Sequence, residues 1–212
     1  MAAEPAAATF VCTEAPSHLD RVRREAYDRI RARLATLSGG PCSLVHYSEV
    51  EDLAETGAVV LSGSDAPWED HGADAFAPLE RALRATRAPV LGICAGMQLL
   101  TWFHGGAVEP LVTPGPPVER GFRRVELVEP DDPLTAGLGF AGEFYESHSW
   151  EVTRLPHGFT AIAVGARCRY EAFRRTGAPV WGVQFHPEAA DEAHPAGERL
   201  LRNFFSYAQA TR

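Results

Sequence analysis

The pattern of apolar and polar positions in the first half of the chain predicts alternating strands and helices. Residues 58–61 and 89–93 are almost wholly apolar, which is typical of strands buried in a parallel sheet. Apolar residues recur at helical spacing over 19–37, and Gly39 to Pro41 end that helix. The predicted elements are strands at 9–12, 43–47, 58–61 and 89–93 and helices at 19–37, 76–86 and 97–103. This order favours a doubly wound α/β fold, in which ligands bind beyond the carboxyl ends of the strands.

The second half predicts short strands with few helices between them. Residues 123–128 alternate like an antiparallel strand, 131–134 form a turn entering a short helix, and 114–117 form a loop. Further strands are predicted at 142–152, with a polar pause at 147–149, and at 159–164, 168–174 and 180–185. Residues 196–210 form a final helix, and its apolar stripe predicts a buried face. The strand-rich half predicts a mixed sheet.

Composition favours one domain over residues 1–212, with a disordered tail at 1–7. A hydrophobic content of 45% over 212 residues supports a full core. The net charge of −8 argues against nucleic acid or an anionic membrane as partner. No apolar run approaches membrane-spanning length, and the N-terminus lacks the basic and apolar parts of a signal peptide. We therefore expect a cytoplasmic protein.

The chain has four cysteines, at positions 12, 42, 94 and 168. None is spaced as in a C-x-x-C motif, so neither a zinc site nor a dithiol redox site is predicted, and we expect no metal and no cofactor. Their scatter suits reduced thiols in a cytosol.

Cys94 lies in a segment with the pattern of a nucleophile elbow. Gly92 and Gly96 flank it, an apolar strand precedes it, and a helix follows. Small flanking residues allow a sharp turn that exposes a nucleophile above the sheet edge, and the helix N-terminus favours a thiolate. Cysteine is also often buried, so this segment alone leaves open a packing role.

His186 supplies the base that a nucleophilic thiol needs. It ends the apolar strand at 180–185, and Glu188 follows it across the rigid link of Pro187. A carboxylate that orients a histidine toward a thiol completes a Cys94–His186–Glu188 triad. Without the elbow, a hydrogen-bonded histidine at a strand end would be the simpler interpretation.

Four segments, in this order, resemble the class I (triad type) glutamine amidotransferases from about residue 57 to the C-terminus. Residues 61–64 are similar to the oxyanion-loop motif of that family, and 92–98 to its nucleophile motif. Residues 147–152 are similar to its substrate-side strand, and 182–188 to its His-Pro-Glu motif. The resemblance implies a three-layer α/β fold, with a flavodoxin-like mixed sheet and helices on both faces.

The resemblance also implies hydrolysis of L-glutamine to glutamate and ammonia. Cys94 would form a γ-glutamyl thioester, His186 would move protons, and Glu188 would hold the imidazole. The remaining site residues implied by the resemblance are the oxyanion donors Gly63, Ser64 and Ala95 and the substrate-binding residues Gln98, Ser149 and Trp150. Ser64 stands where many members of the family have glycine, which leaves the subfamily open.

The resemblance further implies a separate synthase or synthetase that accepts the ammonia. Two alternatives stay open at this point. One is a thiol hydrolase of other γ-glutamyl compounds, which a preference for γ-glutamyl amines over glutamine would identify. The other is a catalytically silent regulatory module, against which an intact triad argues.

Overall fold

The structure, a computed structural model, describes residues 7–72, 74–112 and 118–211. Within these ranges lie four α-helices and eleven strands. The helices are α1 (Arg21–Ser38), α2 (Ala77–Ala85), α3 (Ala95–Phe103) and α4 (Ala196–Ala210). The strands are β1 (Ala8–Cys12), β2 (Cys42–His46), β3 (Ala58–Leu61), β4 (Val90–Ile93), β5 (Ala107–Pro110), β6 (Glu119–Leu127), β7 (Ala141–His148), β8 (Trp150–Arg154), β9 (Phe159–Val164), β10 (Ala172–Arg175) and β11 (Val180–Val183). The loop predicted at 114–117 and all but the last residue of the tail predicted at 1–7 fall outside the described residues.

Nine strands form one mixed sheet in the order β2-β1-β3-β4-β11-β10-β9-β6-β7. The first five strands in this order are parallel, and the other four pair antiparallel. β5 and β8 form a separate antiparallel pair. The predicted mixed sheet is confirmed, and its two strand patterns follow the change of sequence character near the middle of the chain.

Helices cover both faces of the large sheet and bury two hydrophobic cores. Side chains alternate across a strand, so Val60 packs in the core with α1 and α4, whereas Val59 packs in the core with α2 and α3. Both valines are fully buried. The predicted three-layer α/β fold is therefore confirmed.

The first helix begins two residues later than predicted, because Asp20 caps it. The Asp20 carboxylate accepts a hydrogen bond from the Arg23 amide at 2.7 Å, and its backbone is extended. Gly39 ends the helix in the left-handed conformation, with a φ of 69°, as the predicted stop requires.

The structure differs from the predictions for the second half in several places. The short helix expected after 131–134 is a series of turns, in which the buried Asp132 accepts hydrogen bonds from the Leu134 amide and the Trp181 indole. The segment 142–152 is two strands, since the chain leaves the large sheet at Ser149 and continues as β8. The partner of β8 is β5, which the sequence pattern did not predict. Among the described residues, no helix is long and apolar enough to span a membrane.

Candidate active site

Cys94 lies at a sharp turn between β4 and α3. It is the one non-glycine residue of the described chain with a positive φ, at 50°. This backbone conformation is costly for an L-residue and typifies functional turns that the surrounding structure holds in place. The Cys94 amide donates to the Val183 carbonyl at 2.7 Å, and the Cys94 carbonyl accepts from the Gln98 amide at 3.0 Å. The strand, sharp turn and helix predicted around Cys94 are thus present, and the helix begins at Ala95, two residues before the predicted start.

The two glycines of the elbow are required by close backbone contacts. A Cβ atom on Gly92 would lie 2.6 Å from the Gly96 carbonyl carbon, and one on Gly96 would lie 2.7 Å from Leu61 Cβ. The Gly96 amide donates to the Ser62 carbonyl at 3.0 Å. Helix α3 therefore starts directly against the end of β3, which brings the elbow beside the loop that follows β3.

The sheet brings His186 to the same edge as Cys94. β4 and β11 are parallel neighbours, with Ile93 opposite Val183. Cys94 and His186 therefore follow the carboxyl ends of adjacent strands. His186 Nδ1 lies 2.7 Å from Glu188 Oε1, and the His186 amide donates to the Tyr145 carbonyl at 2.8 Å. A carboxylate only accepts hydrogen bonds, so Nδ1 carries the hydrogen and Nε2 is left as the base.

The pKa of His186 lies well above its usual value of 6.5. Burial alone would lower this pKa, but the Glu188 charge and its hydrogen bond, together with the interaction with Cys94, outweigh burial. Among the described residues, Nε2 has no other hydrogen-bond partner. The site therefore stabilises an imidazolium next to the thiol.

A buried carboxylate that the motif analysis missed holds the loop after β3. Glu14 follows β1 and is fully buried. Its oxygens accept hydrogen bonds from Ser64 Oγ at 2.7 Å and from the backbone amides of Asp65 at 3.1 Å and Ala66 at 2.9 Å. The polar pair Thr13-Glu14 at the end of an apolar strand was the sequence signal, because β1 is the neighbour of β3.

The carbonyl of Gly63 is held by hydroxyl groups on the side of β1 and α1. Thr13 Oγ1 donates to it at 3.2 Å and Tyr27 Oη at 2.9 Å. The C=O and N–H of a trans peptide point in opposite directions, so the Ser64 N–H points away from these hydroxyls. A Cβ on Gly63 would lie 2.8 Å from His186 Cε1 and 3.5 Å from Cys94 Cβ. The loop that contains Gly63 and Ser64 therefore lies directly against Cys94 and His186.

Gln98 is buried and fixes the turn between β7 and β8. Its Nε2 donates to the Trp150 carbonyl and to Gln184 Oε1, both at 3.1 Å. The Ser149 carbonyl accepts from the Leu111 amide at 2.8 Å. Both amide hydrogens of Gln98 are thus used within the protein, so Gln98 positions this turn. Direct contact of Gln98, Ser149 or Trp150 with a substrate stays a prediction.

A cleft of about 220 Å³ opens beside the pair, lined among others by Gly63, Ser64, His186 and Glu188. Cys94 itself is only 4% exposed. The other three cysteines are buried thiols outside this cleft. Burial raises the pKa of Cys12 and of Cys42 to about 11 and that of Cys168 well above 9.0. These three thiols therefore stay protonated near neutral pH, in agreement with a packing role.

Comparison with known proteins identifies the family of the chain. The family model for "Glutamine amidotransferase class-I" matches residues 41–208. The glutamine-hydrolysing GMP synthase of Porphyromonas gingivalis is 38% identical over 164 residues, which is 77% of this chain and 31% of that protein. A glutamine-hydrolysing GMP synthase subunit of Pyrococcus abyssi is 40% identical over 116 residues, covering 55% of this chain and 58% of that one. The chain spans about a third of the length of the single-chain GMP synthases that it matches.

Solved structures agree with the fold. A candidate GMP synthase subunit from Thermoplasma acidophilum superposes with a TM-score of 0.78 and 25% identity, over 97% of this chain and 95% of that one. A glutamine amidotransferase from Thermotoga maritima gives a TM-score of 0.74 over 97% and 99% of the two chains, at 16% identity. The family predicted from the sequence is confirmed by the family match and by the curated relatives. The chain therefore belongs to the class I glutamine amidotransferase family.

Proposed function

We propose that this chain hydrolyses L-glutamine through a γ-glutamyl thioester on Cys94 and passes the ammonia to a separate synthase. The observation that carries the proposal is the assembly at one sheet edge of a strained cysteine turn, a histidine held by a carboxylate, and a glycine loop against both. This is the arrangement of nucleophile, base and orienting group that acyl transfer from an amide requires.

In the acylation step, His186 Nε2 takes the thiol proton of Cys94. The sulfur attacks the side-chain amide carbon of glutamine, and the electron pair of the carbonyl bond moves to oxygen. When the tetrahedral intermediate collapses, the C–N bond breaks and His186 gives its proton to the departing nitrogen, which leaves as ammonia. The Glu188 charge supports the imidazolium between these two transfers.

Deacylation repeats this proton movement with water. His186 takes a proton from a water molecule, and the oxygen of that water attacks the thioester carbonyl carbon. The C–S bond then breaks and glutamate forms. The proton on His186 then returns to the sulfur of Cys94. The same two side chains therefore serve both halves of the reaction.

Backbone amides of Ala95 and Ser64 are the proposed oxyanion donors. Ala95 is the first residue of α3, and the first amides of a helix have no partner within that helix. The Ser64 amide points away from the hydroxyls that hold the Gly63 carbonyl. Loss of one such donor costs roughly 3 kcal/mol of transition-state stabilisation in acyl-transfer enzymes.

We further propose that the ammonia acceptor is a synthase of the GMP synthase type, since relatives that share 37–40% identity with this chain carry that name. The four cysteines are unpaired thiols, which agrees with the proposed cytoplasmic location. Faster formation of glutamate from γ-glutamyl amines than from L-glutamine, in a separate assay, would instead identify a hydrolase of γ-glutamyl compounds.

The decisive experiment measures ammonia release from L-glutamine by the wild-type chain and by Cys94→Ala. We expect the variant to lose activity by about a thousandfold or more, because the covalent step is removed. If the wild type is idle without its partner, mass spectrometry after treatment with a glutamine-like electrophile should find a single adduct on Cys94. Absence of both ammonia release and the adduct would refute the proposed chemistry.

A further inference from the structure

A second group of ionisable side chains is buried at the C-terminal end of β7, next to the turn to β8. Glu146 and His148 lie on β7, Glu119 begins β6, and Glu171 immediately precedes β10. All four are at most 5% exposed, and Glu146 is fully buried. None of them belongs to the catalytic triad or to the oxyanion loop.

These side chains converge on one point. One ligand atom each from Glu146, His148 and Glu171 lies within 4.8 Å of the other two. His148 Nε2 is 3.3 Å from Glu146 Oε2 and 3.7 Å from Glu119 Oε2. Two atoms that bind one metal ion at about 2.0–2.2 Å each are at most about 4.4 Å apart, so the separations of 3.3 and 3.7 Å fit a shared ion.

The hydrogen bond at the second ring nitrogen, Nδ1, fixes the tautomer of the neutral His148 ring. Nδ1 lies 3.0 Å from the Trp150 carbonyl oxygen, which only accepts hydrogen bonds. Nδ1 therefore carries a hydrogen, and in the neutral ring Nε2 presents a lone pair to the carboxylates. Metal-ligating histidines usually donate the N–H of their second ring nitrogen to a group such as this backbone carbonyl.

Several buried atoms of this cluster have no hydrogen-bond partner among the described residues. They are Glu119 Oε2, both carboxylate oxygens of Glu146, His148 Nε2 and Glu171 Oε2. The cluster therefore gathers three buried carboxyl groups with unpaired oxygens around one imidazole, and a cation would satisfy these oxygens.

We propose that Glu146, His148 and Glu171 bind one divalent metal ion, with Glu119 as an additional oxygen ligand. Carboxylates combined with one imidazole suit a borderline transition metal such as Zn²⁺ or Mn²⁺. The ligands come from β6, from β7 and from the residue before β10, which are separated along the chain. For this reason the sequence, which lacks a spaced ligand motif, predicted no metal.

The proposed ion has a structural role beside the active site. It would fix His148, whose Nδ1 holds the Trp150 carbonyl, and the same carbonyl accepts the hydrogen bond from Gln98. The turn at 149–150 would then be held from two sides. Its position would depend on the metal even though the ion does not touch the reacting atoms.

The test measures metal content and metal binding directly. The wild-type chain, purified from medium containing Zn²⁺ and Mn²⁺, should contain about one equivalent of metal by mass spectrometry of the elements. After chelation, titration with Zn²⁺ or Mn²⁺ should restore one equivalent and raise the melting temperature. Glu171→Gln, which keeps the shape but removes the charge, should weaken binding at least tenfold. Glu143→Gln changes an exposed carboxylate on the same strand as Glu146 and should bind as the wild type does.

The thiol of Cys94 could also bind these metals. The Cys94→Ala variant distinguishes metal bound at this thiol from metal bound at the proposed site. Retention of one equivalent in Cys94→Ala supports the proposal, whereas its loss places the metal at Cys94 and overturns it. If Glu171→Gln does not fold, the wild type and Cys94→Ala still decide the question. A wild-type chain without metal, whose melting temperature neither ion changes, would show that protons alone neutralise the cluster and would overturn the proposal.

Discussion

At the scale of single residues, the close packing of Gly63 against His186 sets the position of the imidazole. A Cβ at position 63 would lie 2.8 Å from His186 Cε1, closer than such contacts allow, and Gly63 has no positive φ to strain an alanine. We expect Gly63→Ala to displace the imidazole from Cys94 and to lower kcat by about 100-fold, since misplacement of about 1 Å has such an effect. Steady-state ammonia release measures this.

The control for Gly63→Ala is Gly72→Ala, which adds a methyl group at an exposed position whose nearest neighbour is 4.0 Å away. Both variants should unfold at similar urea concentrations, because the clash at position 63 is with a side chain that can move. Normal turnover in Gly63→Ala would mean that the loop and the imidazole do not act together.

Because of the charge of Glu188, the free energy of unfolding should depend on pH. Because the folded pKa of His186 is raised, its protonation stabilises the protein below the unfolded pKa of about 6.5, and this contribution disappears as pH rises through the folded pKa. Glu188→Gln keeps a hydrogen-bond acceptor but removes the charge. The difference in free energy of unfolding between wild type and variant should therefore be largest near pH 6 and should shrink at higher pH.

Urea unfolding in half-unit pH steps checks this expectation. Glu192→Gln, at an exposed position, should give a difference that does not vary over the same range. A difference for Glu188→Gln that stayed constant, or that grew with pH, would contradict the raised pKa of His186.

At the scale of elements, the loop after β3 depends on a residue at the end of the neighbouring strand β1. The Glu14 carboxylate accepts bonds from Ser64, Asp65 and Ala66. In Glu14→Gln, an amide group would present hydrogens to some of these donors. We expect stability to fall by about 1–3 kcal/mol. We also expect labelling of Cys94 by a glutamine-like electrophile to slow by about 10-fold or more, because the proposed oxyanion donor moves.

Glu25→Gln on the exposed face of α1 removes the same charge without touching the loop, and its labelling rate should match the wild type. If Glu14→Gln lost stability but labelled Cys94 at the normal rate, Glu14 would be important for folding only. The loop would then hold its conformation without this carboxylate.

At the scale of the whole molecule, the large sheet separates two cores that should respond independently. Ile162 on β9 packs in the core on the α1 and α4 face, and Leu79 on α2 packs in the opposite core. Ile162→Val should cost about 0.5–1.5 kcal/mol and Leu79→Ala about 2–5 kcal/mol. Because the two sites share no core, the double variant should lose the sum within about 0.5 kcal/mol.

Urea unfolding of the two single variants and the double variant gives the coupling energy. A coupling above about 1 kcal/mol would mean that the two cores are not independent layers. Both single variants should label Cys94 with the glutamine-like electrophile at the normal rate. Neither residue is close to Cys94 or His186 in the sequence, and neither lines the cleft beside them.

Much of the architecture could be predicted because it depends on local patterns. Apolar runs and helical spacing identified β3, β4, α1 and α4, since each must bury a continuous face. The predictions were wrong where pairing decided the structure. β5 is short and lies mostly at the surface, so it has no apolar pattern, and it forms a strand only because β8 leaves the large sheet beside it.

By itself, the sequence determined the strand-turn-helix around Cys94, the rigid His186-Pro187-Glu188 link and the family to which the chain belongs. Each of these depends on neighbouring residues, whose chemistry and backbone preferences are local. Only the tertiary structure decided that Glu14 holds the loop after β3, that Gln98 fixes the turn at Trp150, and that buried glutamates surround His148. These contacts join residues far apart along the chain, and their geometry and energy exist only once the sheet has placed those residues side by side.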